Sequence, residues 1–269
     1  MPTVPYTKSF YEQLRNGAVR SAEAVVPLVL ELLPVRSVLD VGCGDGSWLA
    51  VFQRLGVSEI FGIDGQYVDR DVLQIPQDRF RAINLSKPFT LERTFDLAVS
   101  LEVAEHLPPE SAAGFVESLT LLAPLVMFSA AIPFQGGDRH VNEQWPEKWA
   151  ELFQQHGYAP IDFIRKRIWQ DDSVEFWYAQ NTLLYARASL IAANTSLNAE
   201  FEQTNPKQLS LVHPRQYLYL GNQYREALAQ AQRPTLPSGV RAASRLLLVC
   251  LRNAFRKRIH SILKKEPSL

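Results

Sequence analysis

Val38-Leu39-Asp40-Val41-Gly42-Cys43-Gly44-Asp45-Gly46 is the stretch that decides the fold. Residues 37–41 read as a buried parallel strand, and the three alternating glycines that follow give a turn needing unusual backbone angles. Residues 47–55 read as a helix closed by Gly56. A ligand can therefore approach bare backbone at a helix N-terminus. The dinucleotide fingerprint G-x-G-x-x-G and the triphosphate loop G-x-x-x-x-G-K-[ST] both differ from the G-x-G-x-G found here. On this motif alone, a glycine-rich turn in some other α/β domain stays open.

Three further strand ends narrow the choice. Ile60-Phe61-Gly62-Ile63 ends in Asp64, at about the distance where nucleotide-binding α/β folds place the acid that grips ribose hydroxyls. A carboxylate there accepts two hydrogen bonds from a vicinal diol. Residues 80–83 end in Asn84-Leu85, and residues 95–100 lead into Leu101-Glu102-Val103-Ala104-Glu105-His106-Leu107-Pro108. In order and spacing these phrases resemble the motifs of class I S-adenosylmethionine-dependent methyltransferases, over roughly residues 35–190. The resemblance implies a Rossmann-like α/β fold, with a seven-stranded, mostly parallel sheet, helices on both faces and an antiparallel last strand, to which this chain adds a helical C-terminal extension. It also implies S-adenosyl-L-methionine as cofactor, bound by Asp40, Gly42, Gly44, Asp64, Asn84, Leu85, Leu101 and Glu102. Asn84 stands where the family commonly has an acid against adenine, and its carbonyl oxygen can still accept from the exocyclic amine.

Composition sets the bounds. The chain has 269 residues, 46% of them hydrophobic, enough for one sizeable core plus appendages. Its 28 basic and 28 acidic residues cancel, so no global field draws in nucleic acid. Two cysteines, one of them inside the glycine loop, fit a reducing compartment. Met1-Pro2-Thr3-Val4-Pro5 lacks a charged-then-apolar leader pattern, and no apolar run reaches the ~18 residues of a spanning helix. A soluble, cytoplasmic protein is expected.

The chain reads as four segments. Residues 1–34 form a helical preface with Leu14, Val25, Leu28, Val29 and Leu32 on one stripe; 35–190 is the methyltransferase-like domain; 191–238 is an extension of low apolar density; 239–269 is a basic amphipathic helix. Within the domain, a helix over 109–122 precedes strand five at 125–128, and a polar loop, 132–145, falls on the crevice side of the sheet. A helix over 146–156 closes at Gly157, with strands six and seven expected at 163–169 and 182–186. In the tail, Arg241, Arg245, Arg252 and Arg256 share one helical face and Leu247, Leu251, Ala254, Phe255 and Ile262 another. Two uses are open for it, packing on the domain or on a sister subunit in a homodimer, and peripheral contact with the inner face of a membrane.

Methyl transfer from a sulfonium loses charge rather than creating it, so positioning carries most of the catalysis. A hydroxyl acceptor still needs a base or a cation beside it. Glu102, Glu105 and His106 form an E-x-x-E-H phrase, and His140 lies in Asp138-Arg139-His140-Val141-Asn142-Glu143-Gln144-Trp145. This pattern is similar to that of metal-dependent 2′-O-methyltransferases of small-RNA 3′ ends, which implies Glu102, Glu105, His106 and His140 as ligands of Mg²⁺ or Mn²⁺. The first part alone is similar to ubiquinone-pathway O-methyltransferases. The metal-free alternative takes His140 as general base, with His140 and Glu143 the catalytic pair. His156 and His213 have no comparable neighbours and read as structural or exposed.

Aromatic density after the core motifs suggests an acceptor pocket: Trp145, Trp149, Trp169, Phe176, Trp177 and Tyr178, with Asp171, Asp172, Gln180 and Asn181 interleaved, although Trp149 and Trp169 read equally well as core residues. Together with residues 135–145, this region resembles methyltransferases of bacterial surface-polysaccharide synthesis. The expectation is an O-methyltransferase acting on a sugar hydroxyl of a glycan or glycolipid precursor. A quinone-like or small phenolic acceptor is the rival enzyme, and a non-catalytic cofactor-binding subunit is the rival outside enzymology.

Overall fold

The computed structural model describes residues 8–231, 244–245, 247–254 and 256, with side chains from residue 15 onward. The chain divides into two compact units, Met1–Tyr219 and Leu220–Leu269. The first contains a long helix α1 (Lys8–Leu32) and then alternates strands and helices: β1 (Ser37–Val41), α2 (Ser47–Arg54), β2 (Glu59–Asp64), β3 (Phe80–Ala82), β4 (Leu97–Leu101), α3 (Ala112–Leu122) and β5 (Leu125–Ser129). Next come α4 (Pro146–Gln155), β6 (Tyr158–Ile161), α5 (Arg165–Ile168), α6 (Phe176–Asn181), β7 (Leu183–Arg187), α7 (Ala188–Ala193), α8 (Thr195–Glu202) and α9 (Pro214–Ala231).

The seven strands form one sheet in the order β3-β2-β1-β4-β5-β7-β6. Pairings among β1 to β5 are parallel, and β7 runs antiparallel to both β5 and β6. This is the expected Rossmann-like sheet with its antiparallel last strand. Alternating residues of the central strands feed two cores, as the period of a strand requires. Val38, Leu97, Val99, Leu125 and Met127 pack with Val25, Val29, Trp48 and Phe52 of α1 and α2. Leu39, Ala98, Val126 and Phe128 pack on the other face with Phe115 and Leu119 of α3 and Trp149 and Phe153 of α4.

The sixth strand is a correction. It lies at Tyr158–Ile161, whereas the expected strand at 163–169 is largely the short helix α5. Pro160 sits inside the real strand, which is tolerated because β6 is the sheet's edge. The chain beyond β6 is organised by Arg165, only 1% exposed. Its Nε and one terminal nitrogen reach the two oxygens of Asp162 at 2.8 and 2.7 Å, and its other nitrogen donates to the carbonyls of Leu209 at 2.6 Å and Gln180 at 3.3 Å. One buried cation thus pins β6, α6 and the segment before α9 together.

The second unit begins inside α9, and its described residues, 220–231, 244–245, 247–254 and 256, are helical, with Leu247, Leu248, Val249 and Leu251 exposed. The expected faces of the tail rest in part on Arg241, Phe255 and Ile262, which lie outside the described residues. Among the described residues no helix is long and apolar enough to cross a membrane.

Arg165→Met is expected to destabilise the protein by about 3–5 kcal/mol, because it leaves the Asp162 carboxylate buried and unpaired. Urea denaturation followed by circular dichroism measures it, and a loss under about 1 kcal/mol would show that the pair is not needed.

Candidate active site

The loops after β1, β2, β4 and β5 meet at the carboxyl ends of the strands, the place where open α/β sheets bind ligands. The glycine loop is shaped by two constraints. At Gly42 (φ 85°) a Cβ would come within 2.3 Å of Val103 Cγ2, so this glycine is needed for packing as well as for its backbone angle. Gly44 (φ 55°) differs, since a Cβ there would meet nothing within 4 Å and would point into open space. The next residue, Asp45, accepts from the Ser47 N–H at 3.1 Å and hydroxyl at 2.6 Å, and pairs with Arg15 of α1 at 2.6 Å. Through that ion pair the N-terminal helix is tied to the loop.

Asp64, at the end of β2, accepts from Gly44 N at 2.7 Å and Gly65 N at 2.6 Å, and from the Tyr67 hydroxyl. Asp40 is 4% exposed, and burial, then Asp64 and Asp45, push its carboxyl well above the usual carboxylate range. Asn84 lies just past β3 and is exposed; its Oδ1 accepts from Ser86 N at 3.0 Å, so one lone pair is already engaged by a local turn. Leu85 is buried in the core shared with α3 and α4, and Leu101, at the end of β4, packs at the edge of the other core, shared with α1 and α2.

Glu102 comes next, with a left-handed backbone (φ 55°), a conformation that costs a non-glycine residue on the order of 1–3 kcal/mol. Its N–H donates to the carbonyl and hydroxyl of Ser129, at 3.0 and 3.1 Å. Its carboxylate accepts from Gln135 Nε2 at 2.9 Å and Asn181 Nδ2 at 3.0 Å. These amides are themselves held: Gln180 Nε2 donates to Gln135 Oε1 and Asn181 Oδ1, both at 3.0 Å, and Gln180 Oε1 accepts from His213 N at 2.8 Å. Gln216 of α9 donates to the carbonyl of Phe134 at 3.0 Å. A buried amide network therefore joins Glu102 to the 132–145 loop and to the start of α9.

That loop carries the candidate chemistry. His140 Nδ1 lies 3.0 Å from Glu143 Oε1, and Glu143 is anchored by the N–H groups of Phe134 at 2.7 Å and Gly136 at 2.9 Å. The His140 and His106 rings stand edge to face at 4.8 Å. Beside them Glu105 is fully buried, and burial together with the Glu102 carboxylate pushes it well above the carboxylate range, against a weaker opposing pull from the backbone of Glu105 and Ala131. Burial and the neighbouring His140 hold His106 below the histidine range. Ligand atoms of Glu105, His106 and His140 all lie within 4.8 Å of one another. Of the four expected metal ligands these three come together, while the Glu102 oxygens are turned to Gln135 and Asn181.

The aromatic acceptor patch is corrected in part. Trp149 is core, 2% exposed against Phe128, and Gln180 and Asn181 are buried in the amide network. Asp171 caps a turn at Ser173, Asp172 pairs with Arg215, and Trp169 packs on His213. Tyr178 stacks edge-on against Trp48 at 5.2 Å. His213 is buried and structural, and His156 is exposed. Tyr67, Gln135 and Gln216 went unnoticed in the sequence because isolated polar residues in loops and on helix starts carry no periodic signal.

A family model described as a methyltransferase domain matches residues 13–171, more than half of the chain. No match was found among curated proteins. Among solved structures, the sugar N-methyltransferase KedS8 from Streptoalloteichus sp. is similar with a TM-score of 0.52 and 16% identity, over 66% of this chain and 91% of that one. The magnesium protoporphyrin IX methyltransferase ChlM from Synechocystis, with bound SAH, is similar with a TM-score of 0.49 and 20% identity, over 66% of this chain and 88% of that one. At such identities the likeness is one of fold.

The glycine loop and Asp40 each generate a testable outcome. Gly44→Ala should cost only about 1–2 kcal/mol of stability, the penalty for a left-handed alanine, yet, if the loop holds the cofactor, weaken its binding roughly tenfold or more, since the methyl would project into the open space in front of the loop. Calorimetry on the folded variant checks this, and normal affinity would remove the loop from the site. A cationic ligand favours ionised Asp40, whose carboxyl binds its proton unusually tightly. Below that raised pKa, binding must expel the proton, so affinity should climb as pH rises and level off once Asp40 is already ionised. Calorimetry in buffers of different ionisation heat reads the proton release, and a flat profile without release would contradict it.

Proposed function

The chain belongs to the methyltransferase domain family and is an S-adenosylmethionine-dependent methyltransferase, and from that premise we propose that it methylates a hydroxyl, that of a sugar in a glycan or glycolipid precursor. The observation that carries the hydroxyl reading is the His140–Glu143 pair on the loop after β5. With Nδ1–H given to a carboxylate that two backbone N–H groups hold in place, His140 keeps the tautomer whose Nε2 bears the lone pair. Among the described residues nothing else hydrogen-bonds that nitrogen.

The cofactor supplies an electrophilic methyl on a sulfonium. His140 Nε2 takes the acceptor hydroxyl's proton as the oxygen becomes nucleophilic, and Glu143 stabilises the resulting imidazolium. Asp64 and the glycine loop orient the nucleoside, and Asp40 and Glu102 offset the ligand's positive charge. The sugar reading is supported by the same loop: Phe134 is 78% exposed and Trp145 42%, offering aromatic faces on the segment that carries His140, against which a sugar ring can stack. KedS8, a sugar N-methyltransferase, is in line with the sugar part of that reading, though not with the hydroxyl part.

A second reading is favoured by the convergence of Glu105, His106 and His140, whose ligand atoms lie within 4.8 Å of one another. There, Glu105, His106 and His140 would hold Mg²⁺ or Mn²⁺, which would lower the pKa of a coordinated hydroxyl.

His140→Ala should lower turnover by roughly 10²-fold or more while leaving cofactor affinity nearly intact. The assay is transfer of labelled methyl to a panel of cell-surface glycan precursors, with catechol-type phenols as the competing panel. Wild-type turnover in the variant would place the chemistry elsewhere. Methylation of phenols alone would replace the sugar, and activity lost to chelator and restored by Mg²⁺ or Mn²⁺ would replace the base by the cation.

A further inference from the structure

Asp64 has fewer places than its partners need. A carboxylate offers about four lone-pair positions. Three are taken, one on Oδ2 by Gly44 N and two on Oδ1 by Gly65 N and the Tyr67 hydroxyl. A vicinal ribose diol would bring two donors to the one position that remains. Something has to leave, and the three occupants are not equally held.

The Gly44 N–H belongs to a turn closed by Gly42 N and Cys43 N on the Ile63 carbonyl, at 2.8 and 3.2 Å. The Gly65 N–H is the next peptide after Asp64 itself, 2.6 Å from Oδ1. Tyr67 is a different kind of donor, for the residue is 83% exposed. Its ring lies over Gly65, where a Cβ would come within 2.2 Å of Cε1, so the absence of a side chain at 65 is what admits it. Desolvation beside the loop and the Asp64 charge hold the hydroxyl above the usual tyrosine range, so it stays protonated and acts as a donor. An exposed ring attached through one hydroxyl is the cheapest of the three to displace.

We propose that Tyr67 competes with the cofactor's ribose for Asp64, its hydroxyl holding a hydrogen-bonding position that one ribose hydroxyl takes over when the ring swings out. The proposal rests on the assignment of Asp64 to the cofactor. It reverses the usual expectation for a tyrosine at a binding site, because removing the hydroxyl should improve binding.

The test is calorimetry with S-adenosylhomocysteine on wild-type protein and Tyr67→Phe. The variant should bind about two- to tenfold more tightly, the worth of one net hydrogen bond. With an analogue lacking one ribose hydroxyl, which the free position can serve, the gain should vanish. Gly65→Ala, whose methyl evicts the ring, should reproduce part of the tightening for the full ligand. Unchanged or weaker binding by both variants, or an equal gain for both ligands, overturns the competition while leaving the cofactor assignment intact. Failure of wild-type protein to bind S-adenosylhomocysteine at all overturns both.

Discussion

Five carboxylates, those of Asp40, Asp45, Asp64, Glu102 and Glu105, gather at the carboxyl ends of β1, β2 and β4, and the cost of keeping negative charge there organises what surrounds them. Each is answered differently. Asp45 has the Arg15 guanidinium, Asp64 has two backbone N–H groups and a phenol, and Glu102 has two side-chain amides. Asp40 and Glu105 are left with raised proton affinity. A crevice built this way favours a cationic ligand, which supplies the compensation that the protein withholds.

Because a sulfonium already carries its activation, the protein's contribution is placement, and placement here draws on residues far apart in the chain. Arg15 comes from the first helix, whereas Gln180, Asn181, His213 and Gln216 lie beyond residue 171, where the family model ends. The loop with His140 and Glu143 is therefore fixed from behind by a part of the chain that the family's motifs do not describe. Buried amides suit that task, since each both donates and accepts and carries no charge to desolvate.

The fold was legible where two independent signals coincide. Residues 37–46 combine strand periodicity with glycines whose positive φ the structure bears out, and β1 falls on the expected residues. Around β6 the signals conflict. Pro160 disguises a true strand, and Phe163, Ile164 and Ile168 look like a strand although they bury around a helical turn set by Arg165. At the site, Glu105, His106 and His140 come within 4.8 Å of one another, whereas Glu102 of the same phrase turns its oxygens to Gln135 and Asn181. The amides that orient Glu102 could not be read, because a glutamine that will be buried and one that will face water look alike without knowledge of its partner. Trp149 shows the same ambiguity in reverse, an aromatic that reads equally well as a sugar platform or as core and is core.

The base and metal readings meet at a single atom. His140 Nδ1 is committed to Glu143, so only Nε2 can act, and a lone pair donated to a cation cannot also accept a proton. The two mechanisms are therefore alternatives rather than partners, and they differ in what they ask of Glu105. With His140 as base, Glu105 can stay protonated, which suits a carboxyl buried beside Glu102. With a cation bound, Glu105 must be ionised, and metal binding must release its proton. Whichever chemistry operates, burial and the Glu102 charge make ionisation of Glu105 costly, and direct contact with positive charge offsets that cost.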